Sequence, residues 1–245
     1  MATIQGDLGT NLTSVWLTDS SGLTTDLVTA TGNDLTNSGV VLTTGVQGDA
    51  GDFERSDTSD KLTITNAAQT DLNFGSNDWT IAVWLDLENL PGTEENYVLV
   101  DKLGGDEGYR IDIRKTGGTH YVRAITRNDP GGQDVLQVAQ TLSTSGFQQL
   151  VLTKSGTTGT FYVNGSSIGT GTLTSSITDS TVNFTIGNEN GDGDQFDGII
   201  NQVAVWNGTA LSGANITTLY NSGSGIEYAA PASVAADNAL TMCNF

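Results

Sequence analysis

The chain has 245 residues, of which 36% are hydrophobic and 31 are glycine. It carries 28 Asp and Glu residues against 9 Lys and Arg residues, a formal net charge of −19 at pH 7. Such a surface repels nucleic-acid phosphates and anionic lipids, so we expect no nucleic-acid partner. No apolar run approaches the roughly 20 residues that span a bilayer, so we expect no membrane insertion. The abundant Gly, Thr, Ser, Asn and Asp favour short strands joined by tight turns, which predicts a single all-β domain.

Strand-like segments recur along the chain with turn residues between them. Several have apolar residues at every second position, as Trp79 and Ile81 do, which is the pattern of a half-buried strand. We expect an N-terminal arm at residues 1–13, one sandwich at 14–228 and an Ala-rich tail at 229–245. The predicted strands span 14–17, 40–43, 61–64, 79–87, 97–102, 109–114, 120–126, 135–138, 147–153, 160–163, 183–186 and 198–206.

Two successive β-hairpins are predicted within residues 147–171. A Gly/Ser/Thr turn at 155–159 joins the first two strands, and the dipeptide Asn164-Gly165 ends the second strand. Asn and Gly tolerate the positive φ angles that a type I′ turn needs at both central positions. The chain is therefore expected to return on itself after Gly165.

One short helix is predicted near the end of the sandwich. Ile216, Leu219 and Tyr220 lie at helical spacing, Ser212 is a candidate N-cap, and residues 221–223 form a stop signal. A helix of this length is stable only when it packs against the sandwich. In the tail that follows, Cys243 is the single cysteine of the sequence, so no intramolecular disulfide is possible.

Several of these segments occur in the order of a known family. They are Val15-Trp16-Leu17 with Asp19-Ser20-Ser21-Gly22, the loop at 32–37, the strand at 79–84, the hairpins at 147–171, Thr185-Ile186-Gly187-Asn188, Phe196-Asp197-Gly198, and the segments 202–207 and 211–220. Together they resemble the laminin-G-like branch of the concanavalin A-like lectin/glucanase family. The resemblance implies a two-sheet antiparallel jelly-roll sandwich with one short C-terminal helix.

The resemblance also implies a calcium ion. In the family, an acidic pair after the Phe-Asp-Gly segment helps to hold Ca²⁺ together with the early Asp-Ser-Gly loop. Here that pair is replaced by Asn201 and Gln202, so the implied ligands are Asp19, Asn33 and Asn201. Amide oxygens can still coordinate Ca²⁺, but the loss of two negative charges weakens its binding.

The most acidic loop covers residues 188–197. Oxygen-bearing side chains occupy every second position, at Asn188, Asn190, Asp192 and Asp194. The loop lacks the flanking helices and the final bidentate Glu of an EF-hand. Two interpretations stay open: a surface loop that binds calcium or a glycan, and a polar hairpin without a ligand.

Aromatic side chains offer a second kind of ligand contact, since sugar C–H faces pack on aromatic rings. Trp16, Trp84 and Trp206 lie in apolar strands and are predicted to be core residues. The rings that border loops, and are therefore expected to be better placed for a ligand, are Tyr97, Tyr121 and Phe196.

Enzymatic activity is not expected. His120 is the single histidine, lies in a strand-like run and is predicted to be an ordinary sheet residue. Glycoside hydrolysis, the reaction that the fold family makes plausible, needs two carboxylates. Asp86 and Glu88 share a strand face and are the best candidates, but solvated charges at a strand end explain them as well.

The sequence predicts a non-catalytic binding or surface-display module. The first hypothesis is a virion accessory protein, a capsid decoration or fibre-like protein on the particle surface that contacts virion structural proteins through its terminal arms. The alternative is a lectin-like module of a cell-surface or secreted system that binds a glycan. No secretory signal is visible at the N-terminus, so that alternative requires another export route.

Overall fold

The computed structural model describes residues 8, 11–17, 22–28, 32–69, 71–128, 130, 132–173 and 176–228. Within them, fifteen strands form two antiparallel sheets, with one α-helix near the C-terminal end. The predicted tail at 229–245, including Cys243, lies outside the described residues. The strands are β1 (Leu12–Trp16), β2 (Thr36–Ser38), β3 (Val41–Thr44), β4 (Asp49–Phe53), β5 (Lys61–Ile64), β6 (Trp79–Leu87), β7 (Asn96–Asp101), β8 (Gly108–Thr116), β9 (Thr119–Asn128), β10 (Gly132–Ala139), β11 (Gln148–Ser155), β12 (Thr158–Val163), β13 (Ser166–Thr172), β14 (Phe184–Ile186) and β15 (Gly198–Asn207).

We call the two sheets sheet I and sheet II. Sheet I has the strand order β13-β12-β11-β6-β15-β4-β3, and β1 adds to it by pairing with β15. Sheet II has the order β10-β9-β8-β7-β14-β5-β2. This arrangement confirms the predicted two-sheet antiparallel jelly-roll sandwich.

The main core lies between the inner faces of the two sheets. Alternate residues of each strand point into it, including Ile81 of β6 and Ile111 of β8. Its aromatic centre stacks Phe74 on Trp79 and on Tyr109, with ring centroids 4.9 and 4.5 Å apart. Burial of these rings contributes to the hydrophobic stabilisation of the sandwich.

A second apolar cluster covers the outer face of sheet I. Helix α1 (Gly213–Tyr220) packs Ile216 and Leu219 there, and the chain after the helix adds Tyr228. Leu8 also packs in this cluster, and its carbonyl oxygen accepts a hydrogen bond from Trp206 Nε1 at 2.8 Å. Since β1 begins two residues before the expected start of the sandwich at 14, part of the predicted N-terminal arm belongs to the sandwich.

The predicted helix and hairpin signals are confirmed. The Ser212 side chain accepts a hydrogen bond from the backbone N–H of Asn215, and Asn221 ends the helix in the left-handed conformation. At the hairpin turn, Asn164 and Gly165 have φ angles of 50° and 78°, as a type I′ turn requires.

The sequence pattern did not predict two of the strands, β2 and β4. Strand β4 contains Asp49, Gly51 and Asp52, and residues of these types are depleted in strands. Glycine is needed at position 51 because a Cβ atom there would lie 2.9 Å from Val40 Cγ1, outside the strand, and 2.9 Å from the ring of Phe53. Tertiary packing therefore overrides the local preference at this strand.

Candidate functional site

The outer face of sheet II carries a concentration of arginine. Ile111 and Ile113 of β8 point into the core, so the alternate residues of β8 and of its neighbour β9 point outward. These outward residues include four of the nine cationic side chains of an acidic protein, Arg110, Arg114, Arg123 and Arg127. The face is therefore electrostatically distinct from the rest of the chain.

At the centre of this face, Arg123 forms a bidentate ion pair with Asp112. The two residues are cross-strand partners, with Nε–Oδ1 and Nη2–Oδ2 distances of 2.9 and 2.6 Å. Asp112 is fully buried, and burial raises the pKa of its carboxyl group although the hydrogen bonds from Arg123 oppose this shift. A buried pair of this kind fixes the positions of both side chains.

Arg110 connects the face to the acidic loop. Its guanidinium contacts Asp101 Oδ1 at 2.9 Å, Glu189 Oε2 at 2.8 Å and Asp194 Oδ2 at 3.4 Å. Burial alone would lower the pKa of Arg110, but the neighbouring carboxylates Asp101 and Glu189 outweigh it and raise that pKa. Asn96 continues the network by donating to Asp194 and accepting from Arg123.

The four predicted ligand residues of this loop are engaged within the protein. Asn188 is buried and accepts from the backbone N–H of Glu189, and Asn190 donates to Asp101 Oδ2 at 3.1 Å. Asp192 is paired with Lys61, and Asp194 accepts from Asn96 and Arg110. The loop is therefore held against sheet II by its own polar side chains.

The three aromatic side chains predicted to contact a ligand differ in their exposure. Tyr97 and Phe196 are buried and pack edge to face, with ring centroids 6.2 Å apart, so neither ring is accessible to a sugar. Their positions beside loops misled the interpretation, because both side chains point into the core. Tyr121 lies partly exposed on the outer face of sheet II. The predicted core positions of Trp16, Trp84 and Trp206 are confirmed.

Tyr121 lies at the uncovered end of the face. Its cross-strand neighbours are Arg114 on β8 and Ala139 on β10, and Gln137 lies opposite Arg123. Arg114 lies four positions along β8 from Arg110, which places Tyr121 about 13 Å from the loop network. We call Arg114, Tyr121, Arg123, Gln137 and Ala139 the Tyr121 face.

The Tyr121 face has unused hydrogen-bonding capacity. Gln137 and Ala139 are exposed, and Ala139 adds only a methyl group beside the phenol ring. Arg114 is partly exposed, and its Nη2 reaches Glu94 only at 3.4 Å. An aromatic ring flanked by planar polar side chains is suited to a sugar, which offers C–H faces and hydroxyl groups.

The residues implied for calcium are only partly described. Asp19 lies outside the described residues. Asn201 Oδ1 already accepts from the backbone N–H groups of Val46 and Gln47, so its oxygen does not fit a calcium ligand. Asn33 donates through Nδ2 to Ser14 and Asp71, while its Oδ1 has no hydrogen-bond partner among the described residues. Calcium at this position stays a prediction.

The predicted hydrolase pair lies on the outer face of sheet I instead. Asp86 is aligned across β15 with Asp52, and the carboxylate oxygens of Asp52, Glu54 and Glu88 lie within 4.8 Å of one another. Partial burial, followed by repulsion from Glu54, raises the pKa of Glu88. We call Asp52, Glu54, Asp86 and Glu88 the acidic patch.

A small cavity between Phe74 and Asp179 is a weaker candidate. Its volume is about 10 Å³, far below the roughly 300 Å³ at which ligand pockets begin. Lys102 lines it, but its Nζ donates to Ser180 O at 2.6 Å and to Asn66 Oδ1 at 2.8 Å. Burial lowers the pKa of Lys102, and its hydrogen bonds assign it a structural role.

Sequence reasoning missed the arginine network. In the sequence, Asp112 lies in an alternating strand with Arg110 and Arg114 two positions away on either side, on the same strand face. Three consecutive charged residues on one strand face were a detectable signal. The loop partners of Arg110 are Glu189 and Asp194, which lie about 80 positions later in the chain. Sequence spacing alone could not bring them together.

Comparison with known proteins agrees with the fold. The model of the concanavalin A-like lectin/glucanases superfamily matches residues 56–217, which is more than half of the chain. The chain belongs to this superfamily. No curated protein sequence matches it.

Solved structures similar to this superfamily member include binding domains. The binding domain of paraclostridial mosquitocidal protein 1 has a TM-score of 0.65 at 18% identity, over 87% of this chain and 52% of that one. Domain 4 of AbnA, an extracellular GH43 arabinanase from Geobacillus stearothermophilus solved with arabinotriose, has a TM-score of 0.63 at 17% identity, over 85% and 97%. The ligand binding domain of botulinum neurotoxin serotype D, solved with N-acetylneuraminic acid, has a TM-score of 0.67 at 14% identity, over 86% and 50%.

These similarities establish the fold. The chain spans about half the length of the toxin binding domains that it resembles. Among its described residues, no helix has the length and apolar character needed to cross a bilayer.

Proposed function

We propose that this chain is a non-catalytic glycan-binding module and that it binds sugar at the Tyr121 face. The observation that carries the proposal is the partly exposed Tyr121 ring beside the partly exposed guanidinium of Arg114, whose Nη2 reaches Glu94 only at 3.4 Å. A sugar hydroxyl or carboxylate can accept a hydrogen bond from that guanidinium while the ring packs on a C–H face.

Two further observations support this location. The Arg123–Asp112 pair holds the floor of the face rigidly, so little side-chain entropy is lost when a ligand binds. Structures with the same fold include an arabinanase domain in complex with arabinotriose and a toxin domain in complex with N-acetylneuraminic acid. A glycan is therefore the ligand class best matched to both the chemistry and the fold.

A glycan array with the full chain tests the proposal, with and without Ca²⁺. We expect binding to a defined glycan set, reduced about tenfold or more in affinity by Tyr121→Ala and largely retained by Tyr121→Phe. Tyr162→Ala is the matched control, because Tyr162 is also partly exposed but lies on sheet I. Equal losses in the Tyr121→Ala and Tyr162→Ala variants would contradict the assigned face.

Comparing glycan binding on the array with and without Ca²⁺ tests the predicted calcium site separately. Binding that requires Ca²⁺ would support a calcium site, whereas binding unchanged by a chelator would argue against a calcium role in glycan recognition. Enzymatic turnover is the competing function. Release of reducing sugar that Glu88→Gln abolishes would contradict a non-catalytic module.

The finer role that we propose is display on a virus particle. The acidic Thr/Gly/Asn-rich sandwich and the Ala-rich segment at 229–245 support it, since such a module needs no reaction chemistry to contact a host surface. Mass spectrometry of purified particles from the source should detect the chain. Its absence from the particles would leave the alternative, a cell-surface or secreted lectin-like module.

A further inference from the structure

Strand β3 lies at the edge of sheet I. Among the described strands, β3 pairs only with β4, and it ends the strand order of the sheet. Val41 and Leu42 are 60% and 53% exposed, although consecutive strand residues point to opposite faces. The strand contains no Lys, Arg or Pro, the residues that usually protect an edge from pairing with another chain.

The acidic patch lies beside this edge. Val41 pairs with Asp52, Asp52 with Ile199, and Ile199 with Asp86, so these four side chains form one row across the outer face. Glu54 and Glu88 lie two positions further along on the same side. Within the described part of the chain, no Lys or Arg forms an ion pair with any carboxylate of the patch.

Charge decides which kind of partner suits this surface. A second copy of the chain would bring another acidic patch to the same edge, against a net charge of −19 on each molecule. A basic segment would instead gain attraction from the same carboxylates. An extended segment also satisfies the free backbone groups of an edge strand and alternates its side chains between the two faces.

We propose that β3 binds an extended, basic segment of a partner protein as an added strand. The backbone of that segment pairs with β3, and its Lys or Arg side chains on the outer face reach Asp52 and Glu54. The aliphatic stems of those Lys or Arg side chains cover Val41 on the outer face, and the apolar side chains on the other face cover Leu42. This surface lies on the sheet opposite the Tyr121 face, so partner and glycan can bind together.

A labelled peptide tests this surface. The probe is an eight-residue peptide of alternating Lys and Val or Thr, titrated against the full chain by fluorescence anisotropy. We expect Glu54→Gln/Glu88→Gln to weaken binding about tenfold, as the loss of two attractive contacts implies. The matched control Asp106→Asn/Glu227→Gln changes the net charge equally at exposed positions outside the patch, and should change affinity less than about twofold. Equal losses in both double variants would overturn the proposal.

Hydrogen exchange tests the added strand itself. Peptide binding should slow amide exchange in residues 41–44, and Leu42→Lys, at an exposed position, should weaken binding without lowering Tm by more than a few degrees. Peptide binding that leaves these amides unprotected would overturn strand pairing. A dimer of the free protein that Leu42→Lys dissociates would show that a second copy occupies the edge, and would also overturn the proposal.

Discussion

The outer faces of the two sheets differ in what covers them: apolar side chains on sheet I and charged side chains on sheet II. Sheet I is covered mainly by apolar burial, with Ile216 and Leu219 of the helix packed over Trp206. Sheet II is covered at one end by an ionic network, in which Arg110 holds the loop at 188–197, and is open at the other end around Tyr121. An apolar cover excludes water and polar ligands, whereas a rigid polar face can exchange water for a ligand. The difference assigns stability mainly to one face and recognition to the other.

The largest expected effect is on the apolar face. Trp206→Ala should lower the free energy of unfolding by about 4 kcal/mol, because the indole is fully buried and its N–H is bonded to Leu8 O. Chemical denaturation measures this loss. At temperatures where the variant is folded, glycan affinity should stay within about twofold of the wild type. A large loss of glycan binding by folded protein would break the assignment of recognition to sheet II.

On the outer face of sheet II, removing one member of the Arg123–Asp112 ion pair should lower the free energy of unfolding, and replacing both members should restore most of it. Arg123→Met should cost about 3 kcal/mol, because Asp112 is left buried without its cation. Adding Asp112→Leu should restore most of that stability, since an apolar pair no longer carries a desolvated charge. A double-mutant cycle in urea provides the measurement. Simple additivity of the two losses would show that the pair is not coupled as the geometry indicates.

The smallest expected effect concerns the acidic patch. The pKa of Glu88 is raised in the folded state, so its negative charge opposes folding above that pKa, and the penalty disappears as pH falls below the ordinary carboxyl range. Glu88→Gln should therefore stabilise the protein at pH 7 by about 0.5 kcal/mol or less, because an exposed charge is screened. The advantage should vanish near pH 4. A variant that is less stable than the wild type at pH 7 would indicate an attractive partner for Glu88.

The sequence predicted the sandwich well because its signals are local. The alternation in β6, the turn at Asn164-Gly165 and the cap at Ser212 each reside within a few residues, and all three are confirmed. Strand β4 was missed because Gly51 is required by the close approach of Val40, a residue outside the strand.

The site was harder to predict because its contacts join distant parts of the chain. Asp194 lies in the expected loop, but its role depends on Arg110 and Asn96, which are contributed by other strands. Phe196 and Tyr97 border loops in the sequence and are nevertheless buried, since side-chain direction depends on strand register. The sequence identified Tyr121 as a ligand candidate, but it did not show that Arg114 and Arg123 lie beside it on the same face.

The most direct test of glycan binding on sheet II is a two-dimensional NMR titration of the isotope-labelled full chain. The ligand is the glycan that binds most strongly on the array. We predict that the largest chemical-shift changes occur in β8, β9 and β10 around Tyr121, Arg114 and Gln137, and that Tyr121→Ala abolishes them. Shift changes confined to the acidic patch or to the loop at 188–197, with none around Tyr121, would contradict the assignment of recognition to this face.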